Sequence, residues 1–116
     1  MRYLFFAVSI CLLSITALQA ASKSNEVEFP RTAYQDNYKY YVLEEKKQNT
    51  TFVVTYKRAG FDSFVFGKVE INCPSRVIRS LGTSINSVKA IPMEPTPWIQ
   101  PTIGTIEFDM ISYVCR

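Results

Sequence analysis

From residue 38 onward, apolar and polar side chains alternate with a period of two, the mark of strands that press one face on a core. Aromatic and β-branched runs bounded by turn residues divide this region into strands. Tyr38–Glu45 is the first, and Lys46-Lys47-Gln48-Asn49 is a polar turn. Thr51–Arg58 is the second, with Phe52, Val54 and Tyr56 alternating with Val53, Thr55 and Lys57. Ala59 to Ser63 forms the next turn, where Gly60 is free to take a positive φ. In the third strand, Phe64–Cys73, the odd positions Val65, Gly67, Val69, Ile71 and Cys73 fall in the core phase, and Lys68, Glu70 and Asn72 in the other. Arg76–Leu81 and Ser87–Ile91 read as two further strands separated by Gly82-Thr83-Ser84. Such short connections favour an antiparallel meander.

The pattern then changes twice. Pro92, Pro95, Pro97 and Pro101 exclude helix and central strand between Ile91 and Pro101, leaving an extended crossover that carries Trp98. Beyond it Ile103, Ile106, Met110, Tyr113 and Val114 share one side of a helical wheel, which Phe108, Ile111 and Cys115 widen. Thr105, Asp109 and Ser112 make the polar remainder. A short helix with so wide an apolar arc lies on a sheet. The expected fold is therefore α+β: an antiparallel meander of about five to six strands, with a C-terminal α-helix packed on one face. Residues 38–116 form this domain. Residues 21–37 are polar, contain Pro30 and show no sustained period, so they read as a flexible leader with a short strand at Val27–Phe29.

The first twenty residues obey another pattern. Arg2 precedes an apolar run from Tyr3 to Ile15, and Thr16 to Ala21 turns small and polar. The run is shorter than the roughly 20 residues that cross a bilayer, and the three parts together describe a cleaved signal peptide over residues 1–20. Cleavage falls after Ala20, with Gln19 and Ala21 as neighbouring choices and an uncleaved anchor as the alternative. Cys11 follows Ile10, where lipid attachment requires a small residue, so lipidation is rejected. The protein is accordingly expected to be exported, to the periplasm, cell surface or medium, and not membrane-embedded after cleavage. Two cysteines remain, Cys73 and Cys115, which permit one disulfide in an oxidising compartment. It would tie the helix to the strand beneath it. A free reactive thiol is the alternative, though without a histidine to activate it.

Composition narrows the chemistry. The 116 residues carry a net charge of +3 and contain no histidine. That removes histidine-dependent triads and histidine-ligated metals, and the weak mixed-sign charge argues against nucleic acid. No catalytic set, metal site or cofactor is expected, and the protein reads as non-enzymatic. Tyr38 and Tyr40 share one strand face and Tyr41 takes the other, so the three cannot all be buried. Exposed tyrosines are good interface anchors. Trp98 serves either as a lid on the core or as a ligand platform. Glu107, in the middle of the helix's apolar arc, calls for a partner, and Arg76 or Arg79 from the sheet is the expected one. Lys46-Lys47 and Lys57-Arg58 are expected at neighbouring ends of one hairpin and read as a solvated tip, with a small basic patch for acidic partners, half offset by Glu44 and Glu45, as the alternative. An unpaired sheet edge would allow a homodimer.

The run GKVEINCPSRVIRSLG from Gly67 to Gly82, then Trp98, then GTIEFDMISYVC from Gly104 to Cys115 resembles the surface-adhesin protein E family of small exported bacterial proteins. The likeness covers about half of the chain after residue 20. It implies an antiparallel sheet and C-terminal helix joined by a disulfide, with Cys73 and Cys115 matching the family cysteines. It also implies adhesion to host extracellular-matrix or serum proteins and an ability to dimerise. The family's adhesin is a lipoprotein, and this chain lacks the lipid-attachment cysteine. A soluble periplasmic accessory protein, an inhibitor or envelope-assembly factor, is the alternative function.

Overall fold

The structure is a computed structural model and describes residues 26–32 and 37–116. The signal-peptide region 1–20, residues 21–25 of the leader and Tyr34 lie outside the described residues. Five strands run in chain order, β1 (Val27–Glu28), β2 (Lys39–Gln48), β3 (Thr51–Ala59), β4 (Phe64–Asn72) and β5 (Val77–Ser84), and one helix follows, α1 (Ile106–Val114). All neighbours pair antiparallel in the order β1-β2-β3-β4-β5, the expected meander. The alternation read in β4 holds: Gly67, Val69 and Ile71 are buried beneath the helix.

Register explains which side chains meet. Tyr56 stands opposite Val42 on one side and Gly67 on the other, and Val54 opposite Val69. A β-carbon on Gly67 would lie 2.5 Å from the Tyr56 ring, so the glycine makes room for the tyrosine to lie across the sheet. A bulge between Val42 and Glu44 sets two residues against Thr55 and moves Glu45 onto the helix face, where the Arg116 guanidinium comes within 3.9 Å.

The helix begins where its sequence directs. Thr105 is the N-cap and its hydroxyl accepts the Phe108 N–H at 3.2 Å, with Glu107 and Asp109 in the first turn where the helix dipole favours them. Met110, Ile111 and Val114 press on Val54, Val69, Ile71 and Ile78. The Cys73–Cys115 disulfide closes this layer at a Cα–Cα distance of 5.6 Å.

Two expectations are corrected. Ser87–Ile91 is a turn region and not a strand; β5 instead continues through Gly82, Thr83 and Ser84, bulging at Leu81. Gly82 reads as a separator in sequence, yet here it lets another segment approach. It has φ 147°, and a β-carbon would fall 1.9 Å from the Pro92 carbonyl oxygen. The proline-rich segment runs beside β5 as an interrupted strand, with Glu94 N–H donating to Leu81 O, Thr96 N–H to Ser80 O, and Ile78 and Ile99 exchanging bonds. That edge of the sheet is therefore occupied.

The short strand expected in the leader is present as β1, but the described leader is held on the fold and not loose. Residues 26–32 are docked: β1 pairs with Tyr41 and Val42, and Phe29 is 1% exposed with its ring edge-on to Tyr113 at 5.5 Å. Arg31 Nε donates to Asp109 at 2.7 Å, and the Thr32 hydroxyl donates to the same carboxylate at 2.6 Å. Asp109, assigned above to the polar face of the helix, is 1% exposed. No helix among the described residues is long and apolar enough to cross a membrane.

Candidate functional site

Two neighbouring features lie at one end of the sheet. The first is a cleft of about 550 Å³ between the start of α1, the helix-facing side of β2 to β4, and the Thr96–Pro97 stretch. Val65, Val69, Ile106 and Met110 give it apolar walls; Tyr56, Arg58 and Glu107 are polar groups at the helix end, and Arg79 with Ser80, Thr83 and Thr96 borders it on the β5 side. Strand periodicity puts Arg58 there, since Phe52, Val54, Tyr56 and Arg58 share the helix-facing phase of β3. The helix, which starts late, covers the first three and leaves the fourth at its open end.

Tyr56, Arg58 and Glu107 make no side-chain hydrogen bond or ion pair to another described residue. Arg58 stacks its guanidinium over the Tyr38 ring at 4.3 Å, but its Nε is buried without a hydrogen-bond acceptor. A buried donor in that condition costs about 1–3 kcal/mol. Among the described residues, Arg58 has no carboxylate within ion-pair distance, and neither does Glu107 have a cation. Burial holds the Tyr56 phenol above its ordinary 10.0; the Arg58 charge opposes that rise and the Glu107 carboxylate adds to it. The phenol is thus a neutral hydrogen-bonding group flanked by a cation and an anion.

The second feature is the tip formed by the β3–β4 turn and the start of β2. Phe61 is fully exposed at 101%, Phe64 is 52% exposed and Tyr38 40%. Tyr38, Gly60 and Phe61 border a shallow hollow with Lys39. On the outer face the Lys57 ammonium lies 5.2 Å from the Tyr41 ring and 5.0 Å from that of Phe64, and it bonds Glu26 at 2.9 Å. Arg58 and Lys57, neighbours on opposite faces, give the aromatic tip a positive collar.

The binding residues expected from sequence divide between these features and the core. Tyr38 is at the tip and Tyr41 on its outer flank. Tyr40 is corrected: it is 8% exposed and belongs to the core, because it pairs with Arg58 on the helix-facing side while Phe29 and Arg31 pack near it. Trp98 lies apart from both, 38% exposed with the Arg79 guanidinium 4.6 Å over its ring, so it is a stacked surface residue and not a lid. The expected ion pair of Glu107 with Arg76 or Arg79 is also corrected. Arg79 faces the outer side and takes Glu70 with two bonds of 2.9 and 2.8 Å, whereas Arg76 sits exposed in a turn with φ 58°.

Sequence reading took Arg58 for part of a solvated hairpin tip or small basic patch, and it missed Phe61 and Phe64. Signals for two of the three were present. Arg58 continues a core phase with a charge, and Phe61 is a large aromatic in a glycine turn that has no packing use for one. Phe64 carries no such signal, as it reads as an ordinary strand residue. Comparison with known proteins returns no match, whether against family models, curated proteins or solved structures.

Proposed function

We propose that this chain is an exported, non-enzymatic binding module that docks protein partners on the aromatic tip of its sheet. The proposed partners are host matrix or serum proteins, in the manner of the surface adhesins that its C-terminal half resembles. One observation carries the reading: Phe61, Phe64 and Tyr38 are all exposed around this tip, with Lys57 against the Phe64 ring on one face and Arg58 against the Tyr38 ring on the other. Aromatic residues and arginine are the residue types that dominate interface energetics. Burying one such aromatic contributes about 1.5–3 kcal/mol, so three of them suffice to anchor a contact. The basic collar favours an acidic partner surface. The Cys73–Cys115 disulfide supports an oxidising destination.

The test is biolayer interferometry of the purified chain against immobilised matrix and serum proteins, repeated with Phe61→Ala, Phe64→Ala and Lys46→Ala, the last exposed at the opposite end of the sheet. At least one ligand should bind, with each phenylalanine variant weakened about tenfold or more and Lys46→Ala unchanged. Binding that ignores both phenylalanines would overturn the assignment of the tip. Protease treatment of intact producing cells gives the location: digestion without lysis agrees with adhesion, and protection until the envelope is opened would point to the periplasmic accessory role.

A further inference from the structure

We infer that the cleft beside the tip is a separate small-ligand site that takes an apolar α-amino acid or short peptide in its zwitterionic form. The ligand's carboxylate lies on Arg58, its ammonium group on Glu107, and its apolar side chain against Val65, Ile106 and Met110. The argument is one of complementarity. The cleft presents a cation, Arg58, and an anion, Glu107, that do not pair with each other, with Tyr56 between their charges, while its second cation, Arg79, is already taken by Glu70. A simple anion would satisfy Arg58 and be repelled by Glu107, and a simple cation would meet the reverse. A hydrocarbon would leave both charges dry and unanswered. A dipolar head on an apolar body answers all three conditions at once. At about 550 Å³ the cleft falls within the range of small-molecule sites and has room beyond a single amino acid. The guanidinium is preorganised, because stacking on Tyr38 fixes its plane before any ligand arrives.

Isothermal titration calorimetry tests this on the purified chain, with free phenylalanine, the dipeptide phenylalanyl-leucine, and the same dipeptide acetylated at its amine or amidated at its carboxyl group. The free dipeptide should bind saturably, and each blocked form should bind about tenfold more weakly or worse. Arg58→Met should abolish the difference between free and amidated dipeptide, and Glu107→Gln that between free and acetylated dipeptide. Both residues are partly exposed, so the variants should stay folded by circular dichroism. Tyr56→Phe, which removes only a hydroxyl, provides a third variant that should weaken binding without changing either difference. Saturation by phenylalanine alone would assign a free amino acid as ligand, and saturation by the dipeptide alone a peptide. Equal binding of blocked and free dipeptide, blocked forms still weaker in the matching variants, or no binding of any form would overturn the inference. Phe61→Ala should leave dipeptide binding intact, so this site and the protein-binding tip fail or stand separately.

Discussion

Asp109→Asn tests the docking of the N-terminal segment on the helix. The carboxylate has 0% side-chain exposure, and Arg31, which bonds it through Nε, has 8%. It accepts that bond at 2.7 Å, the Thr32 hydroxyl at 2.6 Å and the Thr32 N–H at 3.3 Å. An amide of the same shape removes the negative charge and turns one acceptor into a donor facing donors. Removing one partner of a buried pair costs about 3–5 kcal/mol, far above the ±0.5 kcal/mol of a surface change. For a domain of this size, about 4–8 °C per kcal/mol converts to a fall in Tm of at least about 12 °C. Calorimetry reads the total, and amide hydrogen exchange should locate the earliest loss of protection at the Phe29 N–H, whose bond of 2.9 Å to the Tyr40 carbonyl holds the segment to the sheet. The double variant Arg31→Met with Asp109→Leu should recover much of the loss, because a buried pair exchanged for apolar groups is often neutral. A Tm change of a degree or two in Asp109→Asn would refute the reasoning: the helix would not depend on residues 26–32.

Three further outcomes are expected. Replacing Cys73 and Cys115 together by serine should lower stability by roughly 4 kcal/mol, since the bridge spans a separation of 42 residues, and denaturant unfolding measures it. Gly82→Ala should destabilise more than Gly67→Ala in the same assay. The first meets a backbone oxygen at 1.9 Å and adds a disfavoured φ, while the second meets the Tyr56 ring, which is able to swing away. Tyr56 ionises later in the folded protein than in the unfolded chain, because burial raises its value above 10.0. Its contribution to stability is therefore complete below about pH 10 and lost as pH climbs through the raised value. Phenolate absorbance should show one tyrosine titrating late, and Tyr56→Phe should lessen the alkaline loss of stability.

The fold was legible from residue 38 onward because strand and helix periodicities are local consequences of one-sided burial. Val65 to Cys73 declares its inner face by alternation, and Ile106 to Val114 declares a helix by its wide apolar arc. The candidate site was legible only in fragments. Tyr38 and Tyr41 stood out by type, but Arg58 acquires its meaning from the point at which α1 ceases to cover β3. Phe61 acquires its own from a turn that packs against nothing.

Other features depend on contacts between distant parts of the chain. A polar leader gives no local sign that Phe29 fills the core or that Arg31 and Thr32 lie against a helix near the other end of the sequence. Asp109 sits in a polar phase of the wheel, and only the arrival of that segment makes the phase an interior. Gly82 looks like a strand breaker until Pro92 is seen to need its missing side chain. The sequence by itself determined most of the elements, the core phase of β3 and β4 and the cysteine pairing, because those follow from periodicity and from having two thiols. The tertiary structure alone decided which carboxylate is buried, which arginine is paired and which aromatic is left exposed. Those outcomes depend on what packs from across the molecule, and a charge or a ring has no fixed role until its neighbours have excluded or admitted water.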